Sequence, residues 1–127
     1  MKKRMKKELE KFINNPVCNT EIHQSTESQL IVYLPGPEGT KHENTIYEIS
    51  FDFPNDYPFK QPRIKFITPI DHPLFQKYCQ IHIFSLFGED WSPAFWIKDI
   101  IERIYFFMSP VETRIDTYNN KINRYTF

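Results

Sequence analysis

The chain predicts an α+β fold, a helix leading into an antiparallel meander of strands, and three observations carry that reading. Met1, Met5, Leu9, Phe12 and Ile13 recur at helical spacing with lysines between them, so residues 2–13 form an amphipathic helix that Asn14-Asn15-Pro16 stops. Tyr47, Ile49, Phe51 and Phe53 then alternate with Glu48, Ser50 and Asp52, the period of a strand with one buried face. Ile64 and Phe66 alternate with Arg63 and Lys65 in the same way. Last, Ile97, Ile100, Ile101, Ile104 and Met108 restore helical spacing, with Lys98, Asp99, Glu102 and Arg103 on the other face, until Ser109-Pro110 ends that helix.

The connecting stretches complete the picture. Leu30 to Leu34 is a short β-prone run, and Pro35-Gly36-Pro37-Glu38-Gly39-Thr40 is a dense turn signal after it. A helix followed by hairpin-linked strands is an α+β arrangement. Between Pro69 and Ala94 no clean period survives, and so long an irregular stretch in a compact domain is where a functional site belongs. The tail from Glu112 to Phe127 is polar, and Ile115, Tyr118 and Ile122 allow at most a short final helix. No internal repeat or low-complexity linker interrupts the chain, so residues 1–127 read as a single domain.

Composition narrows the function classes. Aromatic residues make up 17% of the chain, enough to build a core from Phe and Tyr packing. The 16 basic and 16 acidic side chains cancel, so bulk charge gives no reason to expect nucleic acid or a membrane surface. Lys2, Lys3, Arg4, Lys6, Lys7 and Lys11 against Glu8 and Glu10 make the start of the chain a local basic patch. No apolar run approaches a membrane span, and no signal peptide follows the lysines. Cys18 and Cys79 are too few for a disulfide framework, so a reducing intracellular compartment, cytoplasmic or nuclear, is the expected location. His23, His42, His72 and His82 are scattered without a close Cys pair, and neither a metal site nor a cofactor is expected.

Four segments, FPNDYPFKQPRIKF, ITPIDHPL, QIHIFSLFGEDW and SPAFWIKDIIERI, resemble the core of the ubiquitin-conjugating enzymes. In that family a His-Pro-Asn triplet is followed about ten residues later by the nucleophilic Cys, inside an Ile-Cys-Leu-like run, and then by Trp-Ser-Pro-Ala. Here the triplet reads His72-Pro73-Leu74 and the cysteine slot falls on His82. Counting back from Trp91 moves the slot to Ile83, and pairing Ile83-Phe84 with Ile-Cys moves it to Phe84. None is cysteine. The resemblance implies the UBC fold: an N-terminal helix, a four-stranded antiparallel meander, a crossing helix and a shortened C-terminal helical region.

It also implies partner contacts. The basic start looks like the family's first helix, whose Lys3, Arg4 and Lys7 equivalents would meet the activating enzyme. Pro35-Gly36-Pro37 matches the family's turn between early strands. Phe59 matches the loop side chain that ligases grip, Pro62 belongs with it to the expected ligase-facing surface, and Ser92, Pro93 and Ala94 match the second ligase-facing loop. Pro58 and Pro62 stiffen a loop that would otherwise lose entropy on binding, and an exposed aromatic on such a loop is a natural anchor. Phe59 is therefore expected outside, Tyr57 inside, and Trp91 beneath the active-site loop. His42-Glu43-Asn44-Thr45-Ile46-Tyr47 looks like a run found in the family's variants that lack the catalytic Cys, whereas those variants usually lack the Ser-Pro-Ala that is intact here.

Conjugation needs a thiolate that carries ubiquitin as a thioester, reactive to amines yet slow to hydrolyse. An acyl-imidazole at His82 would be attacked by water, and Leu74 cannot supply the amide donor that the family's Asn offers near the developing oxyanion. His72 reads as a hydrogen-bonded structural histidine. Since function follows the site and not the fold, the expected role is a pseudoenzyme that docks to a conjugating enzyme, a ubiquitin ligase, or ubiquitin or a ubiquitin-like protein. The enzyme alternative is a divergent conjugating enzyme with Cys79 as thioester nucleophile. A third is a sorting adaptor holding ubiquitin or a short peptide.

Overall fold

The computed structural model describes residues 2–76 and 79–110. The expected short final helix with Ile115, Tyr118 and Ile122 lies outside those residues. In chain order the elements are α1 (Lys2–Asn14), β1 (Glu21–Thr26), β2 (Gln29–Pro35), β3 (Ile46–Asp52), β4 (Arg63–Phe66), α2 (Ile83–Phe87) and α3 (Ile97–Met108). The strands form one antiparallel sheet in the order β1-β2-β3-β4, the expected meander.

Strand register explains which face is buried. Val32 pairs with Ile49 and Leu30 with Phe51, and β4 continues the row by setting Ile64 against Phe51 and Phe66 against Ile49. Because side chains alternate across a strand, this register turns Leu30, Val32, Leu34, Tyr47, Ile49, Phe51, Ile64 and Phe66 to one buried face and leaves Ile31 and Ile46 on the other. A continuous core joins that face to Met5 and Phe12 of α1 and to Ile97, Ile100, Ile101, Ile104 and Met108 of α3. Tyr47–Phe66, Phe66–Phe75 and Phe53–Tyr57 ring contacts, at 4.7 to 5.9 Å between centroids, supply the aromatic packing that the composition requires.

Helix α1 departs from its expected stripe at two positions. Ile13 faces solvent, and the buried line runs Met5, Glu8, Phe12. A carboxylate thus sits where a helical wheel has an inward position, three residues after Met5 and four before Phe12.

The turn after β2 is built by the His42-Glu43-Asn44 run. Gly36 donates its N–H to the Thr45 carbonyl at 2.9 Å, Glu43 accepts the Gly39 N–H at 3.0 Å, and the buried His42 ring bonds the Tyr47 hydroxyl through Nδ1 at 2.9 Å. This gives the run a scaffolding job that is independent of whether the chain has a catalytic cysteine. Burial, reinforced by the charges of Lys41 and His72, holds the His42 imidazole below its ordinary pKa.

The stretch from Pro69 to Ala94, without period in the sequence, is anchored at several points. Gln80 bridges to Lys65, Ile81 donates its N–H to the Ile64 carbonyl at 2.7 Å, and α2 contributes a single turn. Gly88 stops α2 with φ +73°, a left-handed cap that glycine adopts without strain.

Candidate functional site

The triplet His72-Pro73-Leu74 forms a small turn after β4, closed by a bridge between His72 and Phe75. His72 Nδ1 accepts the Leu74 N–H at 3.1 Å, which leaves Nε2 to carry the proton and donate to the Phe107 carbonyl at 2.7 Å. Its ring stacks on Phe75 with centroids 4.7 Å apart. A histidine held this way fixes the loop against α3. Leu74 is 44% exposed and offers apolar surface in place of an amide donor.

His82, one of three positions the resemblance offers for the cysteine slot, is exposed and occupies the residue before α2, with extended backbone and no side-chain cap bond. Of the two other aligned positions, Ile83 is buried and Phe84 is 61% exposed. The loop therefore presents an imidazole and a phenyl ring to solvent at the three candidate positions. Cys79 lies upstream, exposed, with its Sγ 3.6 Å from the Gln76 side-chain carbonyl oxygen. Cys18 is half-buried, and burial beside Glu102 pushes its thiol up to about 11, which makes it an inert thiol at neutral pH.

The residues expected to meet partners differ in exposure. Phe59 is 78% exposed at the tip of its loop, where its N–H donates to the Asp56 carbonyl at 2.8 Å. Beneath it Tyr57 is buried, the Tyr57–Pro58 peptide is cis, and the half-buried Trp91 donates its indole N–H to the Pro58 carbonyl at 2.8 Å. Pro93 and Ala94 are exposed and Ser92 half-exposed, in a turn closed by the Ala94 N–H to Ser92 Oγ at 3.2 Å. Lys3 and Lys7 of α1 are exposed.

Two residues leave the expected contact set. Pro62 is buried, so it stiffens the base of its loop and offers no face to a partner. Arg4 turns inward: its Nε donates to Glu8 Oε2 at 3.0 Å, and its Nη2 donates to the carbonyls of Pro93 at 2.7 Å and Phe95 at 3.1 Å. Its guanidinium also lies 4.8 Å from the Trp96 ring centre. Glu8 was not singled out by its residue type, yet it is 3% exposed and fully engaged. It accepts the Tyr57 hydroxyl at 2.5 Å and the Ile97 N–H at 2.6 Å, besides Arg4. Burial raises its pKa above the ordinary 4.5 against the opposing pull of those donors. The sequence signal was its inward position between Met5 and Phe12.

Among the described residues no group of His, Cys, Asp or Glu side chains could hold a metal ion, and no helix is long and apolar enough to cross a membrane.

Residues 4–125 match the family model described as ubiquitin-conjugating enzyme. The chain is 33% identical over 101 residues to ubiquitin-conjugating enzyme E2 13 of Saccharomyces cerevisiae, a match covering 78% of this chain and 65% of that relative. It is 30% identical over 121 residues to ubiquitin conjugating enzyme E2 B of Dictyostelium discoideum, covering 89% of this chain and 81% of the relative. Among solved structures, human ubiquitin-conjugating enzyme E2 G1 superposes with a TM-score of 0.76 at 26% identity, over 84% of this chain and 93% of that one. Ubiquitin conjugating enzyme E2 from Plasmodium falciparum gives 0.75 at 32% identity, over 86% and 98%. The matched span holds both the sheet and the 69–94 loop, and on these grounds the chain belongs to the ubiquitin-conjugating enzyme family.

Proposed function

We propose that this protein is a non-catalytic member of its family that works by docking, presenting the Phe59 tip and the Ser92-Pro93-Ala94 turn to a ubiquitin ligase. The observation that carries this reading is a contrast within one face of the molecule. A braced aromatic anchor stands 78% exposed, while none of the aligned positions His82, Ile83 and Phe84 bears a thiol. Tyr57 and Trp91 hold the anchor's loop in place before any partner arrives, which lowers the ordering cost of binding. Lys3 and Lys7 suit an acidic partner such as an activating enzyme, through an attraction that weakens with salt. Ubiquitin itself, a ubiquitin-like protein or an active conjugating enzyme are further partners of the same kind. A reducing intracellular compartment fits the half-buried and exposed free thiols.

The exposure of Cys79 favours a second reading, a divergent conjugating enzyme that forms its thioester there. That reading demands charging with ubiquitin; the docking reading does not.

Competition with a charged conjugating enzyme for a purified ligase domain tests the docking proposal. The protein is expected to slow ligase-dependent ubiquitin transfer, and Phe59→Ala is expected to weaken that competition by about 1–2 kcal/mol or more, the loss typical of an aromatic anchor. Equal competition by the variant and its parent would remove Phe59 from the interface. No competition by the parent across a panel of ligases would remove the proposal.

A further inference from the structure

Two α1 side chains reach both loops of the proposed docking face. Arg4 spans the Ser92-Pro93-Ala94 turn by donating Nη2–H bonds to the carbonyls on either side of Ala94, those of Pro93 and Phe95. Glu8 Oε2 accepts both the Arg4 Nε–H and the Tyr57 hydroxyl, and Tyr57 lies two residues before Phe59 in its loop. Oε1 accepts the N–H of Ile97, the first residue of α3 and the element on which the second loop lands. One carboxylate is thus shared between the guanidinium that grips one loop and the hydroxyl rooted beneath the other.

Apolar packing would hold α1 against the core without directional bonds. At the buried Glu8 end a shift would leave a carboxylate or its donors unsatisfied in a low-dielectric setting, and the half-buried Arg4 carries that fixed geometry to the turn. Arginine is the side chain that can do this, since its planar fork reaches two carbonyls and a carboxylate at once, whereas the ammonium of lysine is a single point.

The geometry points to Arg4 and Glu8 as a positioning pair that fixes the Phe59 loop and the 92–94 turn relative to each other, so that loosening one loosens the other. Its consequence for binding rests on the docking reading above, but the coupling can be measured with no ligase present. The chain has two tryptophans, and the indole N–H of Trp91 bonds Pro58 in the first loop, which makes that signal a reporter of the Phe59 side. The amides of Ala94 and Phe95, bonded to Ser92, report on the second loop.

Hydrogen exchange followed by NMR on the full chain is the test, with Arg4→Lys as the variant and Lys7→Gln as an exposed control on the same helix. Arg4→Lys is expected to accelerate exchange at Ala94, Phe95 and the Trp91 indole by about tenfold, as for a local opening, and to leave Val32 and Ile49 in the sheet unchanged. In a Tyr57→Phe background, which removes the hydroxyl link, the same change should no longer move Trp91. Acceleration confined to Ala94 and Phe95 would contradict coupling, and equal acceleration at Val32 and Ile49 would reduce the pair to general stability. Failure here leaves the ligase competition untouched, and failure of that competition leaves this coupling untouched.

Discussion

Gly36→Ala is expected to destabilise the protein by about 3 kcal/mol or more, above the usual range for overpacking, because the obstacle is backbone. A Cβ at residue 36 would stand 1.7 Å from the His42 carbonyl oxygen and 2.3 Å from its carbon. Neither atom can rotate aside. The turn cannot open cheaply either, since Gly36 is bonded to Thr45, Glu43 to Gly39, and the His42 ring to Tyr47. Urea unfolding of the variant measures this. A loss under about 1 kcal/mol, the level of an ordinary surface change, would mean that the turn relaxes in a way its bonding argues against.

Glu8→Ala should cost a comparable amount, about 2–5 kcal/mol, because it strips the acceptor from the Tyr57 hydroxyl, the Ile97 N–H and Arg4 together. Glu8→Gln, which keeps the volume and one acceptor oxygen, should cost less and gives the electrostatic part separately. The folded-state pKa of Glu8 is raised, so between its ordinary 4.5 and the folded value the native state holds more protons than the unfolded chain. Stability from this group therefore falls as pH rises through that window and levels off above it. The stability difference between parent and Glu8→Gln, followed by urea unfolding from about pH 4.5 upward, should shrink in that direction. A difference that grows with pH would mean that the three donors outweigh burial.

The fold was legible wherever apolar residues recur with a period. α1, β2, β3, β4 and α3 stand within a residue or two of their expected bounds, because each buries a row of large side chains. β1 was not read from its residues: Glu21 to Thr26 carries one apolar side chain, Ile22, and an edge strand exposed along most of its length has no alternation to show. α2 was missed because five residues are too few to display a helical period.

At the site the resemblance sets His82 and Leu74 against the family's Cys and Asn, and that alignment rests on the flanking motif residues. What the sequence could not convey is where a long side chain goes. Lys3, Arg4 and Lys7 share a helical face by spacing, but Arg4 finds its carbonyl partners far along the chain, and charge pattern alone cannot separate a cation aimed at a partner from one folded inward. Phe59 and Tyr57 were separable by position in the loop, one at the tip and one at its root.

A charging assay with activating enzyme, ATP and ubiquitin, run with and without reductant, bears most directly on the central claim. The account predicts no reductant-sensitive ubiquitin adduct on this protein, and at best weak charging of His82→Cys, because Leu74 still stands where an amide donor is needed. A thioester band on the parent that disappears with reductant, and is lost in Cys79→Ser, would contradict the account and make the protein a conjugating enzyme.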